Sequence, residues 1–520
     1  MKYNLLNYLK STNNQDWLWC YENALNQELN DDQNSNKDSN RYSNGQLKQL
    51  IDAQVALISV LVAECSQGKA TKLDIFIVEP QPLNFITAFL AGVITGVNIF
   101  LCDPAWQLQE WQQVLNLVQP DLIFGDDRLK SLIKSLRAER NPGQENTSDL
   151  ASGDELSDRP LIMIPTGGTS GKIKFAMHSW ETLTASVTGF QDFFDCQKIN
   201  SVCTLPLYHV SGLMQLMRSL LTQGNLVFCP YQSIPTQLSH LNKSIYFISL
   251  VPTQLQFLLE STPNCLQEFK TVLVGGAPSR RSLLHTAREY QIAIALTYGM
   301  TETASGVVAL KPQDFLAGNN SSGQVLPQAQ IKIIHPEAEL QPEKPKSSIN
   351  QPGLIQISST SLCLGYYPQI FPVPQLFLTD DVGYCDRDGY LYLLGRNSHK
   401  IITGGEKVFP GEVEAVISAT KLVQDICVIG IPDQKWGQAV TAVYVPLKTS
   451  RDFNLNLNLI KQQVRLQLAK YKQPKHWLEV DRIPRNDRGK VDHQQLTAIA
   501  CSLYSSYGSG DRTLSISNDV

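Results

Sequence analysis

A chain of 520 residues has room for two to four domains with large buried cores. Charged residues make up 18% and the net charge is −4, which lacks the basic field of nucleic-acid binders, so no nucleic-acid partner is expected. The eleven cysteines form no CxxC pair and do not cluster with the eight histidines, which argues against zinc sites and a disulfide framework and for a reducing cytoplasm.

Residues 1–10 lack a basic stretch followed by a long apolar run, so no signal peptide is expected. Residues 31–46 are almost wholly Asp, Asn, Ser, Lys and Gln, a composition that cannot offset its ordering entropy by burial and reads as a mobile insert or linker. Helical spacing follows over 46–65, a strand over 74–78, the start of a helix over 85–90 and a strand over 97–101. The most apolar segment, 85–101, carries Asn98 and several Gly and Ala residues, and reads as buried structure rather than a membrane span. A second polar bridge, 139–159, reads as a loop.

Residues 161–174, LIMIPTGGTSGKIK, hold the strongest chemical signal. A buried strand empties into Thr166, Gly167, Gly168, Thr169, Ser170 and Gly171, with Lys172 and Lys174 behind. Glycines let the backbone approach a polyphosphate, hydroxyls donate to its oxygens and lysines neutralise it. The P-loop pattern GxxxxGK[ST] fails, because Thr166 stands where its first Gly belongs and Ile173 where a Mg2+-binding Ser/Thr is needed.

Beyond it Ser179 is a candidate N-cap, and Leu213, Leu216, Met217, Leu220 and Leu221 make a helical stripe. Strand-like runs at 226–229, 245–251, 271–274 and 292–296 alternate with helices, the pattern of a mostly parallel sheet covered on both faces. Such sheets bind ligands at the carboxyl ends of strands, where Gly275, Gly276, Ala277 and Pro278 follow one run and Tyr298, Gly299, Met300, Thr301 and Glu302 the next. Short β segments follow at 330–334, 353–357 and 390–394, with a Pro/Glu/Lys-rich loop at 336–352. After Arg396 the pattern changes to a helix at 412–418, strands at 426–431 and 440–445, a helix at 457–468 and a strand at 477–480. The fold class is therefore a large α/β N-terminal domain, with mostly parallel sheets, helices on both faces and a small β region, over 1–397. A small α+β C-terminal domain over 398–500 and a Ser/Gly-rich flexible tail over 501–520 complete the chain.

Seven motifs stand in a fixed order: PTGGTSGKIK, LPLYHVSGL, VGGAP, YGMTE, LTDDVGYCDRDGYLYLLGR, ITGGEKVFPGEVE and PRNDRGKVD. From about residue 83 to 496 the chain thereby resembles the adenylate-forming superfamily of acyl-CoA synthetases, peptide-synthetase adenylation domains and luciferases. The resemblance implies ATP, Mg2+ and CoA as cofactors and a small carboxylic acid as substrate. It implies that residues 166–174 close over the β- and γ-phosphates, that 275–278 lie along the adenine with Tyr298 stacked on it, and that Thr301 bonds the α-phosphate. Glu302 is the implied Mg2+ ligand. Asp381, supported by Arg396, is the implied ribose-binding acid, although Asp380 stands where relatives usually have Gly and leaves two acids to choose between. Lys490, in PRNDRGK, is the implied catalytic lysine for the charge developing at the carboxylate and α-phosphate. A mobile small domain would then rotate, exchanging Lys490 for Thr403, Gly404, Gly405 and Glu406, whose glycines would line a pantetheine tunnel. The family's acidic hinge position is Ser398 here.

LPLYHVSGL with Arg218, together with FISLVPTQLQFLL, looks most like the o-succinylbenzoate–CoA ligases of menaquinone and phylloquinone biosynthesis. His209 would sit at the acyl pocket, with Thr253 and Gln254 as further candidate lining. Arg218 either pairs with a second substrate carboxylate or lies on a helix surface. Another aryl- or acyl-CoA ligase and an amino-acid adenylation enzyme are alternatives, though no amine-binding Asp stands out; a catalytically degraded nucleotide-binding scaffold is the non-enzyme alternative. Homo-oligomerisation is left open.

Overall fold

The computed structural model of the protein describes residues 16–20, 40–65, 72–138, 159–167, 172–335, 349–373, 375–433, 435–447, 453–485 and 490–507. Two large sheets carry the N-terminal part. The first has nine strands in the spatial order Gln324–Val325, Ser305–Ala309, Ile294–Met300, Thr271–Val274, Tyr246–Leu250, Asn200–Cys203, Leu226–Phe228, Asp16–Cys20 and Asn40–Ser43. Its middle strands pair in parallel and its two ends antiparallel. The second has seven strands in the order Gln369–Ile370, Gly365–Tyr366, Ile173–His178, Ile162–Gly167, Asn98–Leu101, Asp74–Val78 and Leu122–Gly125.

Helices fill the space between these sheets, which explains why their sequences are apolar on more than one face. Pro82–Thr95 buries ten consecutive residues, Phe85 to Ile94, with Pro at its start and Gly96 ending it in the left-handed conformation. The largest core cluster joins Phe85 and Phe89 to Ile75 and Ile99 of one sheet, to Leu226 and Phe228 of the other, and to Leu213, Leu216 and Met217 of the helix Val210–Leu221. The apolar segment 85–101 is thus buried helix and strand. The helix Asn44–Cys65 is long and apolar enough to cross a membrane by length and composition alone; it sets Leu47, Ile51 and Ile58 into this same core.

A four-stranded antiparallel sheet, Ala329–Ile334, Gly353–Ser359, Phe377–Cys385 and Leu391–Arg396, leads to the small C-terminal domain. That domain has its own five-stranded sheet, in which Gly437–Pro446 lies between Val423–Asp433 and the hairpin Ile401–Thr403/Glu406–Val408 and also pairs with His476–Glu479. The helices Pro410–Ala419 and Phe453–Gln467 share its core through Val413, Ile417, Leu457, Ile460 and Val464.

Two expectations from composition are corrected. Within 31–46, residues 40–43 form an edge strand on Asp16–Cys20 and 44–46 open the next helix, because Trp17 and Leu18 give them an apolar neighbour to pack beside. At the other end, the helix His493–Tyr507 runs past the boundary expected at 501, with Leu496 and Ala500 buried and Cys501 and Leu503 packed on the same cluster. Residues 31–39 of the polar insert, the polar segments 139–158 and 336–348 and the tail 508–520 lie outside the described residues.

Candidate active site

The strands on either side of the glycine-rich run pair with each other. Ile162–Gly167 and Ile173–His178 pair antiparallel, with Thr166 opposite Lys174 and Gly167 opposite Ile173. Gly168, Thr169, Ser170 and Gly171 lie outside the described residues. The Lys174 ammonium stands 5.0 Å from the centre of the Tyr366 ring, and the Tyr366 hydroxyl donates to Glu302 Oε1 at 2.5 Å. One tyrosine therefore links the hairpin's cation to the buried acid. Burial, with Glu302 beside it, pushes the Tyr366 phenol up, so it keeps its proton for that bond.

Glu302 lies in the single turn Thr301–Thr303 after the strand Ile294–Met300. Ala304 and Ser305 follow with φ of 50° and 82°, two successive non-glycine residues in the left-handed region. Such backbone persists only where neighbours hold it. Here Ser186 Oγ donates to Ala304 O and Thr303 Oγ1 to Ser305 O, both at 2.6 Å. Gly299 is required just before the turn, since a Cβ there would lie 1.9 Å from Ser305 O. From the opposite side, His178 Nε2 donates to Thr301 O at 2.8 Å, and Nδ1 lies 3.0 Å from Thr182 Oγ1.

His178 is fully buried, and desolvation pulls its pKa down to about 4, against which the bond to Thr301 pushes only partly. Between pH 6.5 and 4 the unfolded chain therefore takes up a proton that the folded chain refuses, so stability falls as pH falls through that window. The loss through this one residue is about 3 kcal/mol. Asp74, raised by burial to about 6, and Glu414, raised by burial to about 7, act in the opposite sense. The difference between wild type and His178→Gln is accordingly the quantity to read. The change in melting temperature on going from pH 7 to pH 5 should be more favourable to the folded state in the variant than in the wild type, and an equal change in both would remove His178 from the account.

The next group assembles on two neighbouring elements. Tyr298 is buried and its hydroxyl donates to Asp381 Oδ2 at 2.8 Å, while Arg396 Nε stands 3.6 Å from Asp381 Oδ1. Asp381 and Arg396 face each other in register across Phe377–Cys385 and Leu391–Arg396. Burial and the Asp381 charge raise the Tyr298 phenol, which stays protonated. Asp380 points elsewhere: its carboxylate accepts from Ser398 N at 3.1 Å and from the Ser398 hydroxyl. Of the two adjacent acids, Asp381 thus stands in the cluster with Tyr298 and Arg396, and Asp380 bonds the domain linker at Ser398. Gly275, Gly276, Ala277 and Pro278 follow the strand Thr271–Val274, and Gly276 takes φ 82°, which glycine tolerates without strain.

Arg218 is not on a helix surface. It is 6% exposed in Val210–Leu221, with its guanidinium 4.1 Å from the centre of the Phe190 ring and Nη2 3.5 Å from Ser305 Oγ, immediately beyond the Thr301–Thr303 turn. Its Nε has no hydrogen-bond partner, and among the described residues no carboxylate stands within ion-pair distance. Desolvation pulls its pKa down to about 10. His209 precedes the same helix, packs its ring on Tyr208 and sets Nε2 3.8 Å from Asp103 Oδ2. Gln254 accepts from Val251 N and Thr204 Oγ1, a local cap, and Thr253 is exposed.

Lys490 is exposed and three residues before His493, whose ring lies tilted against that of His399 of the linker, with centroids 4.2 Å apart. The Arg396 charge is felt at both rings. The lysine's segment is therefore tied to the Asp381–Arg396 end of the site. Gly404 and Gly405 are held differently: they make the turn between Ile401–Thr403 and Glu406–Val408, and Gly404 N donates to Trp436 O at 2.8 Å within the small domain. Tyr366, His178, Ser305 and Asp103 belong to the site and escaped the sequence reading. Only His178, ending a strand directly before a Ser N-cap, carried a local signal.

Two large sheets with helices between them, a strand pair whose Lys174 reaches a buried acid through Tyr366, and a small separate domain bearing Lys490 make up an α/β protein of two parts. The model of the AMP-binding enzyme family matches residues 37–367, and that of the AMP-binding enzyme C-terminal domain matches 412–490. The chain belongs to the AMP-binding enzyme family. It is 30% identical over 431 residues to a 2-succinylbenzoate–CoA ligase of Geobacillus sp. (strain WCH70), covering 80% of this chain and 84% of that one. It is 28% identical over 413 residues to the 2-succinylbenzoate–CoA ligase of Bacillus subtilis (strain 168), covering 77% and 78%. Among solved structures, the Bacillus subtilis o-succinylbenzoate CoA synthetase in complex with its acyl-adenylate intermediate superposes with a TM-score of 0.73 at 23% identity, over 95% of this chain and 97% of that one. ATP-bound MatB from Rhodopseudomonas palustris gives 0.75 at 23% identity, over 96% and 99%.

Proposed function

We propose that this chain is an ATP-dependent, AMP-forming acid–CoA ligase whose acid is 2-succinylbenzoate. The observation that carries the substrate is Arg218, a buried guanidinium beside the Thr301–Glu302 turn with no carboxylate of its own among the described residues. A substrate that brings a second carboxylate supplies the missing partner, and Arg is suited to grip it through two parallel bonds. The relatives named 2-succinylbenzoate–CoA ligase support the same choice.

In the first half-reaction a carboxylate oxygen of the acid attacks the α-phosphorus of ATP and the bond to pyrophosphate breaks, leaving an acyl-adenylate. Thr166 to Gly171, with Lys174, embrace the β- and γ-phosphates, and Lys174 is steadied by the Tyr366 ring. Gly275 to Pro278 lie along the base with Tyr298, and Asp381, aligned by Tyr298 and Arg396, accepts from the ribose hydroxyls. Thr301, whose backbone His178 holds, donates to the α-phosphate. Among the described residues the Glu302 carboxylate meets one donor, Tyr366, at Oε1, and no cage of three metal-ligating side chains surrounds it. A single carboxylate fits Mg2+, so Glu302 would hold the ion, which would supply neutralisation of phosphate charge. His209 flanks the acyl group, and Lys490 meets the charge that develops at the reacting carboxylate and phosphate.

In the second half-reaction the CoA sulfur attacks the acyl carbonyl, its proton passes to solvent and AMP departs. The small domain, 398–500, turns about the linker at Ser398, withdrawing Lys490 and presenting Gly404 and Gly405 to pantetheine. Small residues with left-handed φ suit a turn that lines a narrow channel. We place the enzyme in the cytoplasm, as its cysteine pattern implies.

The deciding measurement is ATP- and CoA-dependent AMP release across 2-succinylbenzoate, benzoate, cinnamates, fatty acids and amino acids. Release with 2-succinylbenzoate alone is the expected result. Release only with another acid would discard the substrate, and none with any acid would favour a scaffold.

A further inference from the structure

Asp425 stands near the start of Val423–Asp433 in the small domain, 8% exposed, and its carboxylate is shared by two arginines. Arg280 Nη2 of the large domain pairs with its Oδ2, while Arg280 Nη1 donates to Gln424 O at 2.8 Å. From the small domain, Arg485 Nη2 lies 3.3 Å from Oδ1 and 3.1 Å from Oδ2. Each arginine begins something the reaction uses. Arg280 is two residues beyond Pro278, and Arg485 forms a bridge with Val491, the residue after Lys490, with Asp492 N donating to Pro484 O. A single carboxylate thus connects the neighbourhood of Gly275–Pro278 to that of Lys490 across the domain boundary. Lys421 Nζ, 3.2 Å from His285 Nε2, adds a second contact along the same seam.

We propose that Asp425 is a positioning residue: held between Arg280 and Arg485, it sets the domain orientation in which Lys490 serves adenylate formation. The inference rests on the ligase reading for its kinetic consequence but not for its geometry. A buried carboxylate with one cation is costly to strip bare. With two cations it can surrender Arg280 when the small domain turns and keep Arg485, so no isolated charge is left in either orientation. The device therefore biases the orientation without fixing it. Couplings of this kind change an equilibrium by about tenfold to a hundredfold.

Arg280→Gln tests this without touching the pair inside the small domain. With 2-succinylbenzoate, ATP–pyrophosphate exchange should fall about tenfold, while thioester formation from preformed 2-succinylbenzoyl-adenylate and CoA keeps its rate. Asp425→Asn should move exchange the same way, and Asp425→Glu should restore most of it. Equal losses in both half-reactions of Arg280→Gln, or none in either, would overturn the proposal. A second readout needs no substrate: trypsin should cut the ligand-free variant after Arg396 or Lys400 several-fold faster than the wild type, and an equal rate would overturn it too. If the wild type exchanges pyrophosphate with no acid, the ligase reading fails, and the tryptic comparison alone decides on the clamp.

Discussion

Lys490→Ala is expected to lower adenylate formation by roughly 10²–10³-fold, the size found for a preorganised group aimed at transition-state charge. Conversion of preformed adenylate to thioester should survive. The asymmetry follows from placement. Lys490 is exposed, so the variant loses no core packing and the fold is not at stake. Its segment is held near Arg396 and Asp381 by the His399–His493 ring contact, whereas Gly404 and Gly405 are turned onto Trp436 in their own domain. This is the arrangement expected when the lysine, and not the pantetheine turn, attends the nucleotide. Separate assays of pyrophosphate exchange and adenylate consumption check it. Equal loss in both half-reactions would remove the domain rotation from the mechanism, and full exchange activity would remove Lys490 from catalysis.

What could be read from the chain beforehand was whatever is encoded locally. The strand Thr271–Val274 and the helices Trp180–Phe194 and Val210–Leu221 announce themselves by apolar spacing and, for the first helix, by Ser179 at its N-cap. Candidate site residues that stand in contiguous motifs could be proposed for the same reason. What escaped depends on partners far away in sequence. Asp16–Cys20 becomes a strand only because Leu226–Phe228 offers it an edge, 200 residues on. Tyr366 matters only because Glu302 and Lys174 converge on it from other strands. Of the two adjacent acids, spacing to Gly383 and Arg396 favours Asp381; successive residues of a strand face opposite sides, and Asp381 lies opposite Arg396 while Asp380 reaches Ser398. That last contact joins the residues at 380 and 398, with the Asp380 carboxylate accepting from the Ser398 backbone N–H and hydroxyl.

Arg218→Met should separate recognition of the acid from the chemistry done on it. Burying the guanidinium without a carboxylate depresses its pKa from 12.5 to about 10, which corresponds to roughly 3 kcal/mol of unfavourable desolvation in the free protein. Methionine fills similar space on the Phe190 ring without that charge, so the variant should melt no lower than the wild type, and somewhat higher if packing is kept. The substrate sees the opposite sign. Removing one partner of a buried charge pair costs about 2–5 kcal/mol, so KM for 2-succinylbenzoate should rise by roughly a hundredfold. A monocarboxylic aryl acid, which never engaged the arginine, should be used as poorly or as well as before. Stability and specificity thus move apart, which a purely structural arginine cannot produce: its loss would lower the melting temperature and leave the ratio between the two acids unchanged. Melting curves with kcat and KM for both acids distinguish the cases, and an unchanged ratio would return the second carboxylate to some other group in the pocket.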